Sequence, residues 1–180
     1  MVAITKFLWL ALAATTATAA AIVQRDVITV QNDIRQEIGP TWTTLNNDIN
    51  VFPNSGSEGE AAIQSGFGDA ILALEETTAD IKSTGSFGLV SGTTIFADIQ
   101  LLVPTFLSAI VTLVAQKPIW DNIPDGTPSI LSRLQIAEIV MSEFLDAVVA
   151  SEPILLKPSG YALKAQLTGA FATAIAVYSA

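Results

Sequence analysis

Carboxylates are the only side chains here that could exchange protons near neutral pH, because the 180-residue chain contains no histidine and no cysteine. Serine–histidine triads, thiol nucleophiles and the usual zinc sites are therefore closed to it. No G-x-S-x-G elbow is present, and no serine is followed by lysine three residues on. Glu75 and Glu76 are adjacent, so on a helix they point in different directions and read as a solvated face rather than a cooperating pair. Gly66-Phe67-Gly68 lacks the third glycine and the preceding strand of a dinucleotide loop, and reads as close helix packing instead. The expectation is a non-enzymatic protein with no catalytic residue, no metal and no cofactor.

What the chain offers in place of reactive groups is apolar surface. Hydrophobic residues make up 51% of it, and 17 acidic against 8 basic residues leave a net charge of −9. Nucleic acid and anionic lipid surfaces both require clustered Lys and Arg. Arg25, Arg35, Lys82, Lys117, Arg133, Lys157 and Lys164 are instead scattered along the sequence, so neither partner is expected. At the amino terminus Lys6 precedes the apolar run Phe7 to Ala14, and Ala17-Thr18-Ala19 follows. That order is a secretory signal peptide over residues 1–19, with residues 20–180 as a single secreted domain. The apolar run of the signal is too short to span a bilayer. A secreted chain without disulfides must be held by its core alone.

The elements that build such a core are legible as helical periodicity. Val23, Val27, Val30, Ile34, Ile38, Trp42, Leu45, Ile49 and Phe52 recur at steps of three and four through Gly39-Pro40, which predicts a first helix with a kink at the proline. Ser57 and Glu60 have the spacing of a capping box that would open a second helix through Ile63, Phe67, Ala70, Leu74 and Ile81. The third, from Ile95 to Gln116, is the most apolar stretch and carries no charge after Asp98. Its width of apolar face suits the middle of a bundle. Pro104, Gln100 and a stripe of Thr94, Asp98, Thr105, Ser108, Thr112 and Gln116 argue against a membrane span. After a proline-rich connection holding Trp120 and Ile123, Thr127-Pro128 reads as the start of a fourth helix with Ile130, Leu134, Met141 and Phe144. A fifth runs from Ser159 to Tyr178. No stretch alternates with period two, so the fold class is all-α, an elongated antiparallel bundle of about five helices.

Several segments also carry a family resemblance. Leu101-Leu102-Val103-Pro104-Thr105, Leu113 through Pro118, Ala162 through Gln166 and Ala174 through Ser179 resemble, in order and spacing, the fungal hydrophobic surface-binding protein A family. That family includes the antigenic cell wall galactomannoproteins. The resemblance covers about Asp26 to Ser179 and implies a secreted or wall-associated, non-enzymatic helical protein. It implies one of two partners: a fatty acid or other single-chain lipid held between helices, or a hydrophobic surface to which the protein adsorbs.

Joined to the periodicity, the resemblance singles out an apolar, ligand-accessible space. Phe67, Ile71 and Leu74 of the second helix and Phe106, Ile110 and Leu113 of the third would bound it. Met141 and Phe144 of the fourth, with Phe171 and Ile175 of the fifth, complete the wall. Ring and thioether surfaces adapt to chains of different length without a polar penalty. Gly66, Gly68, Ala70, Gly169 and Ala170 are expected to leave room beside it.

Overall fold

Pro40 falls inside the first apolar register, and the backbone accommodates it by loosening rather than breaking. The structure, a computed structural model, describes residues 27–180; the expected signal peptide lies outside the described residues. Helix α1 covers residues 27–51, with one π-helical turn at Ile34–Ile38 and α-helix resuming over Gly39–Val51. The Gly39 amide donates to the Ile34 carbonyl five residues back. A widened turn of this kind relieves the clash that proline would otherwise make with the preceding turn. The expected kink is thus a π turn, and Ile34, Ile38, Trp42, Leu45 and Ile49 all remain buried.

Four further helices follow: α2 Gly56–Thr84, α3 Leu89–Trp120, α4 Gly126–Ser151 and α5 Lys157–Ser179. The all-α expectation of five helices holds, and the described residues contain no strand. Three local expectations are corrected. Helix α2 begins at Gly56 with no side-chain cap, so Ser57 already lies in its first turn and cannot act as a capping box with Glu60. The turn depends on glycine: Gly56 has φ 62°, and a Cβ at Gly59 would collide with the Ser55 side chain. Helix α4 begins at Gly126 behind Asp125, whose φ is 57°. Thr127 is therefore inside the helix, and its hydroxyl donates to Asp121 at 2.7 Å. Helix α3 runs through Pro118 to Trp120 rather than ending at Gln116.

Sequence neighbours alternate in direction, yet they are not all neighbours in space. The packing order is α1–α2–α4–α5–α3 and back to α1, a closed ring. Gln64 accepts from Arg133 at 3.2 Å, pairing α2 with α4 in parallel. Asp98 pairs with Arg35 at 2.9 Å, and Gln116 reaches Ile49, so α3 lies parallel to α1. Among the described residues α2 and α3 do not pack on each other at all.

This topology overturns the central position expected for the most apolar helix. Helix α3 is long and apolar enough to cross a membrane by length and composition, but only a third of its most apolar stretch is buried. It is one wall of the ring. Phe106, Ile110 and Leu113 face inward, while Leu101 and Val111 are 76% and 65% exposed on the outside. The stripe of small polar groups is its seam with α1: Arg35 meets Asp98, Asn50 meets Thr112 at 3.3 Å, and Gln116 bonds the end of α1.

Candidate functional site

Ring closure brings the inward residues of all five helices to a common interior. Of the ten residues expected to wall a ligand space, Phe67, Ile71, Leu74, Phe106, Ile110, Leu113, Met141, Phe144 and Phe171 are buried in one apolar cluster. Ile175 is half-buried and packs against that cluster. Sequence reasoning left α1 out of the wall, although Trp42 holds its middle. The Trp42 ring meets Phe106 edge-on with centroids 4.8 Å apart and Phe171 at 6.4 Å. Edge-to-face contacts of this sort are favoured by the ring quadrupole. The signal was present in the register of the first helix, where Trp42 is its largest apolar side chain. Its indole Nε1 is buried without a hydrogen-bond partner.

The small residues expected to leave room do so only in part. Gly66 is taken up by close packing, since a Cβ there would lie 3.2 Å from Leu45 Cδ1. Gly169 is exposed on the outer face of α5. Ala70 is buried in the cluster and Ala170 packs against it.

The two ends of the ring differ in chemistry. At one end the Gln116 amide donates to the carbonyls of Ile49 at 2.6 Å and Phe52 at 2.9 Å. Phe52 stacks on Trp120 with centroids 4.5 Å apart, and the Tyr178 hydroxyl donates to the Leu113 carbonyl at 2.7 Å. Burial, with the Asp121 charge second, pushes the Tyr178 hydroxyl far above its usual range. At the other end the turn from α2 to α3 meets the end of α4 through one backbone bond, from the Phe87 amide to the Ser151 carbonyl at 2.8 Å. Two open clefts flank this end. One, of about 520 Å³, lies between Lys82, Gly85 and Ser86 and the α4 residues Glu143, Asp146 and Ser151. The other, of about 470 Å³, runs between Phe96, Gln100 and Val103 of α3 and Ser159, Leu163 and Gln166 of α5.

Glu152, at the end of α4, is 3% exposed. Neither carboxyl oxygen has a hydrogen-bond partner. Burial raises its pKa from 4.5 to about 7. Sequence reading missed it, because a glutamate at a helix end before proline is ordinarily solvated. It missed Asp33 for the same reason: burial first, then hydrogen bonding and repulsion from Asp80, with Glu37 and Glu76 adding to it, raises that carboxyl to about 6.

Five helices closed in a ring around a shared apolar interior define an all-α bundle with an apolar inner face. The chain belongs to the Hydrophobic surface binding protein A (HsbA) family, which residues 27–150 match. Its fold is similar to that of ligand binding domain 1 of the Penicillium marneffei MP1 protein, solved in complex with arachidonic acids. The TM-score is 0.77 at 18% identity, over 86% of this chain and 99% of that one. It is also similar to AFMP4P in complex with palmitic acid, with TM-score 0.71 and 23% identity over 88% and 99% of the two chains. Ligand binding domain 2 of the MP1 protein, complexed with multiple arachidonic acids, gives 0.74 at 14% identity over 84% and 96%. No curated protein sequence matches the chain.

Proposed function

We propose that this protein is a secreted, non-enzymatic lipid binder of the fungal surface that holds fatty acids or similar single-chain lipids inside the helical ring. The observation that carries the reading is the closed ring with its apolar inner face, the architecture shared with domains solved around arachidonic and palmitic acids. Each methylene moved from water into such an interior contributes ~0.8 kcal/mol before the costs of association. An acyl chain therefore binds with few polar contacts. Phe67, Ile71, Leu74, Phe106, Ile110 and Leu113 supply one side of the wall. Met141, Phe144, Phe171 and Ile175 supply the other, with Trp42 between them.

The test compares Phe106→Ala with Ile110→Trp, using displacement of a fluorescent fatty acid and urea unfolding. In an ordinary core both destabilise, by ~3–5 kcal/mol through a cavity and ~1–3 kcal/mol through overpacking. In a lipid site Ile110→Trp leaves stability near wild type, because the indole fills the ligand's place, and abolishes binding. A wild-type protein that binds no fatty acid ends this reading. A second reading, adsorption of the folded ring to wax or polyester, is favoured by Leu101 and Val111 on the outer face of α3. It takes over if the wild type coats such a surface without binding the probe.

A further inference from the structure

Glu152 is a buried carboxylic acid at the end of α4, and it has a definite place in the fold. Its carboxyl lies against the first turn of α3, where any side chain at Gly92 would collide with Oε2 and press on Pro153. Glycine at that position makes the space the carboxyl occupies. A buried carboxyl normally has its oxygens paired, because the desolvation penalty is otherwise uncompensated. Here both are unpaired. Apolar residues flank the contact on each side. Leu89 and Val90 open α3, and Ile154 and Leu155 follow Pro153; they are 53%, 81%, 81% and 75% exposed. Lys82 of α2 and Glu143 and Asp146 of α4 line the neighbouring cleft, Asp80 lies near the end of α2, and Lys157 and Tyr161 open α5, while the α2–α3 turn and the first turn of α3 carry no titratable group. Burial is what raises the Glu152 pKa. At the opposite end the Gln116 amide and the Tyr178 hydroxyl are committed to backbone carbonyls, while Trp120 Nε1 and Gln116 Oε1 are unpaired.

We propose that Glu152 is the head-group partner of a single-chain lipid that enters between the start of α3 and the α4–α5 turn, and that it selects heads able to donate a hydrogen bond: a long-chain alcohol or an undissociated fatty acid. The inference rests on the lipid-binding reading above. The exposed leucines, isoleucine and valine form the lip over which the chain passes. The carboxyl inside the lip accepts from the head, and in its neutral form it also donates. A fatty acid carboxylate facing an ionised Glu152 is repelled, whereas an alcohol is not.

The experiment uses the full secreted protein and displacement of a fluorescent fatty acid by hexadecan-1-ol, by its methyl ether and by palmitic acid. At pH 8.5, where the ionised carboxyl can only accept, wild type should bind the alcohol at least about tenfold more tightly than the ether, the ratio of one hydrogen bond to a charged or buried acceptor. Glu152→Met, which keeps length and removes the acceptor, should bind both equally. Glu152→Gln retains a carbonyl acceptor and should keep part of the preference. Palmitic acid affinity should fall at least about tenfold between pH 5.5 and 8.5 in wild type and less steeply in Glu152→Gln. An alcohol preference that survives in Glu152→Met, or none in wild type, overturns the assignment while leaving lipid binding intact. An equally steep palmitic acid decline in Glu152→Gln overturns it for the acid head. Failure of wild type to bind any of the three defeats the lipid reading itself.

Discussion

At the Gln116 end, one amide holds two carbonyls at the end of α1, an indole stacks on Phe52, and a tyrosine hydroxyl fastens α5 to α3. At the Glu152 end, one backbone bond joins the α2–α3 turn to α4, and the buried side chain beside it has nothing to bind. Both ends bury polar groups in apolar surroundings. The difference is one of degree: Gln116 and Tyr178 each reach a carbonyl and lock two elements together, although Gln116 Oε1 and Trp120 Nε1 stay unpaired, while the Glu152 carboxyl makes no hydrogen bond and favours any motion that lets it reach water or a ligand. The same ring is therefore sealed at one end and poised to open at the other, and local opening follows the weaker end.

The largest expected effect breaks the sealed end. Trp120→Ala removes a fully buried ring and its stack on Phe52, and should cost ~3–5 kcal/mol in urea unfolding. A loss under 1 kcal/mol would mean that the stack is not a seal.

The next effect has the opposite sign. The Glu152 carboxyl is raised from 4.5 to about 7 by burial. As pH rises through 4.5 the unfolded chain gives up this proton while the folded chain retains it, so stability falls from pH 4.5 to 7 and stays lower above. Glu152→Gln should therefore stabilise at pH 8 by roughly 2–3 kcal/mol and change little at pH 4. Equal effects at both pH values would remove the contrast between the ends.

The smallest effect sharpens it. Tyr178→Phe keeps the buried ring and deletes the bond to Leu113, for ~1 kcal/mol. Hydrogen exchange should then speed up near Leu113 but not near Phe87. Faster exchange at both ends would show that they open together.

The helices themselves were readable because apolar steps of three and four are set by backbone geometry, which every residue in the segment repeats. Nine of the ten wall residues are buried for that reason. What the periodicity could not convey was which helix lies beside which. Helix α3 is apolar enough for a bundle centre, and only its contacts reveal that Leu101 and Val111 face outward. Local chemistry failed where a glycine competed with a cap. Ser57 and Glu60 have capping-box spacing, but Gly56 with its positive φ starts the helix before either can act. Glu152 and Trp42 show two further limits. A buried orphan carboxyl has no sequence signature, whereas Trp42 stood in register and was passed over because the site was drawn from the other four helices.

The separation of α2 from α3 also bears on how the chain assembles. Helices α1 with α2, and α4 with α5, are joined by short turns and pack directly on each other, so each pair can form as a local hairpin within microseconds. Helix α3 has no such partner. It contacts α1 and α5, one from each hairpin, across loops of many tens of residues whose closure carries an entropic cost. Its docking closes a ring that until then is joined only where α2 packs on α4, and the rate of folding is expected to follow that late, non-local step rather than the speed of helix formation. Until it docks, the most hydrophobic helix of the chain is in water, which makes the interval before ring closure the time when self-association competes with folding.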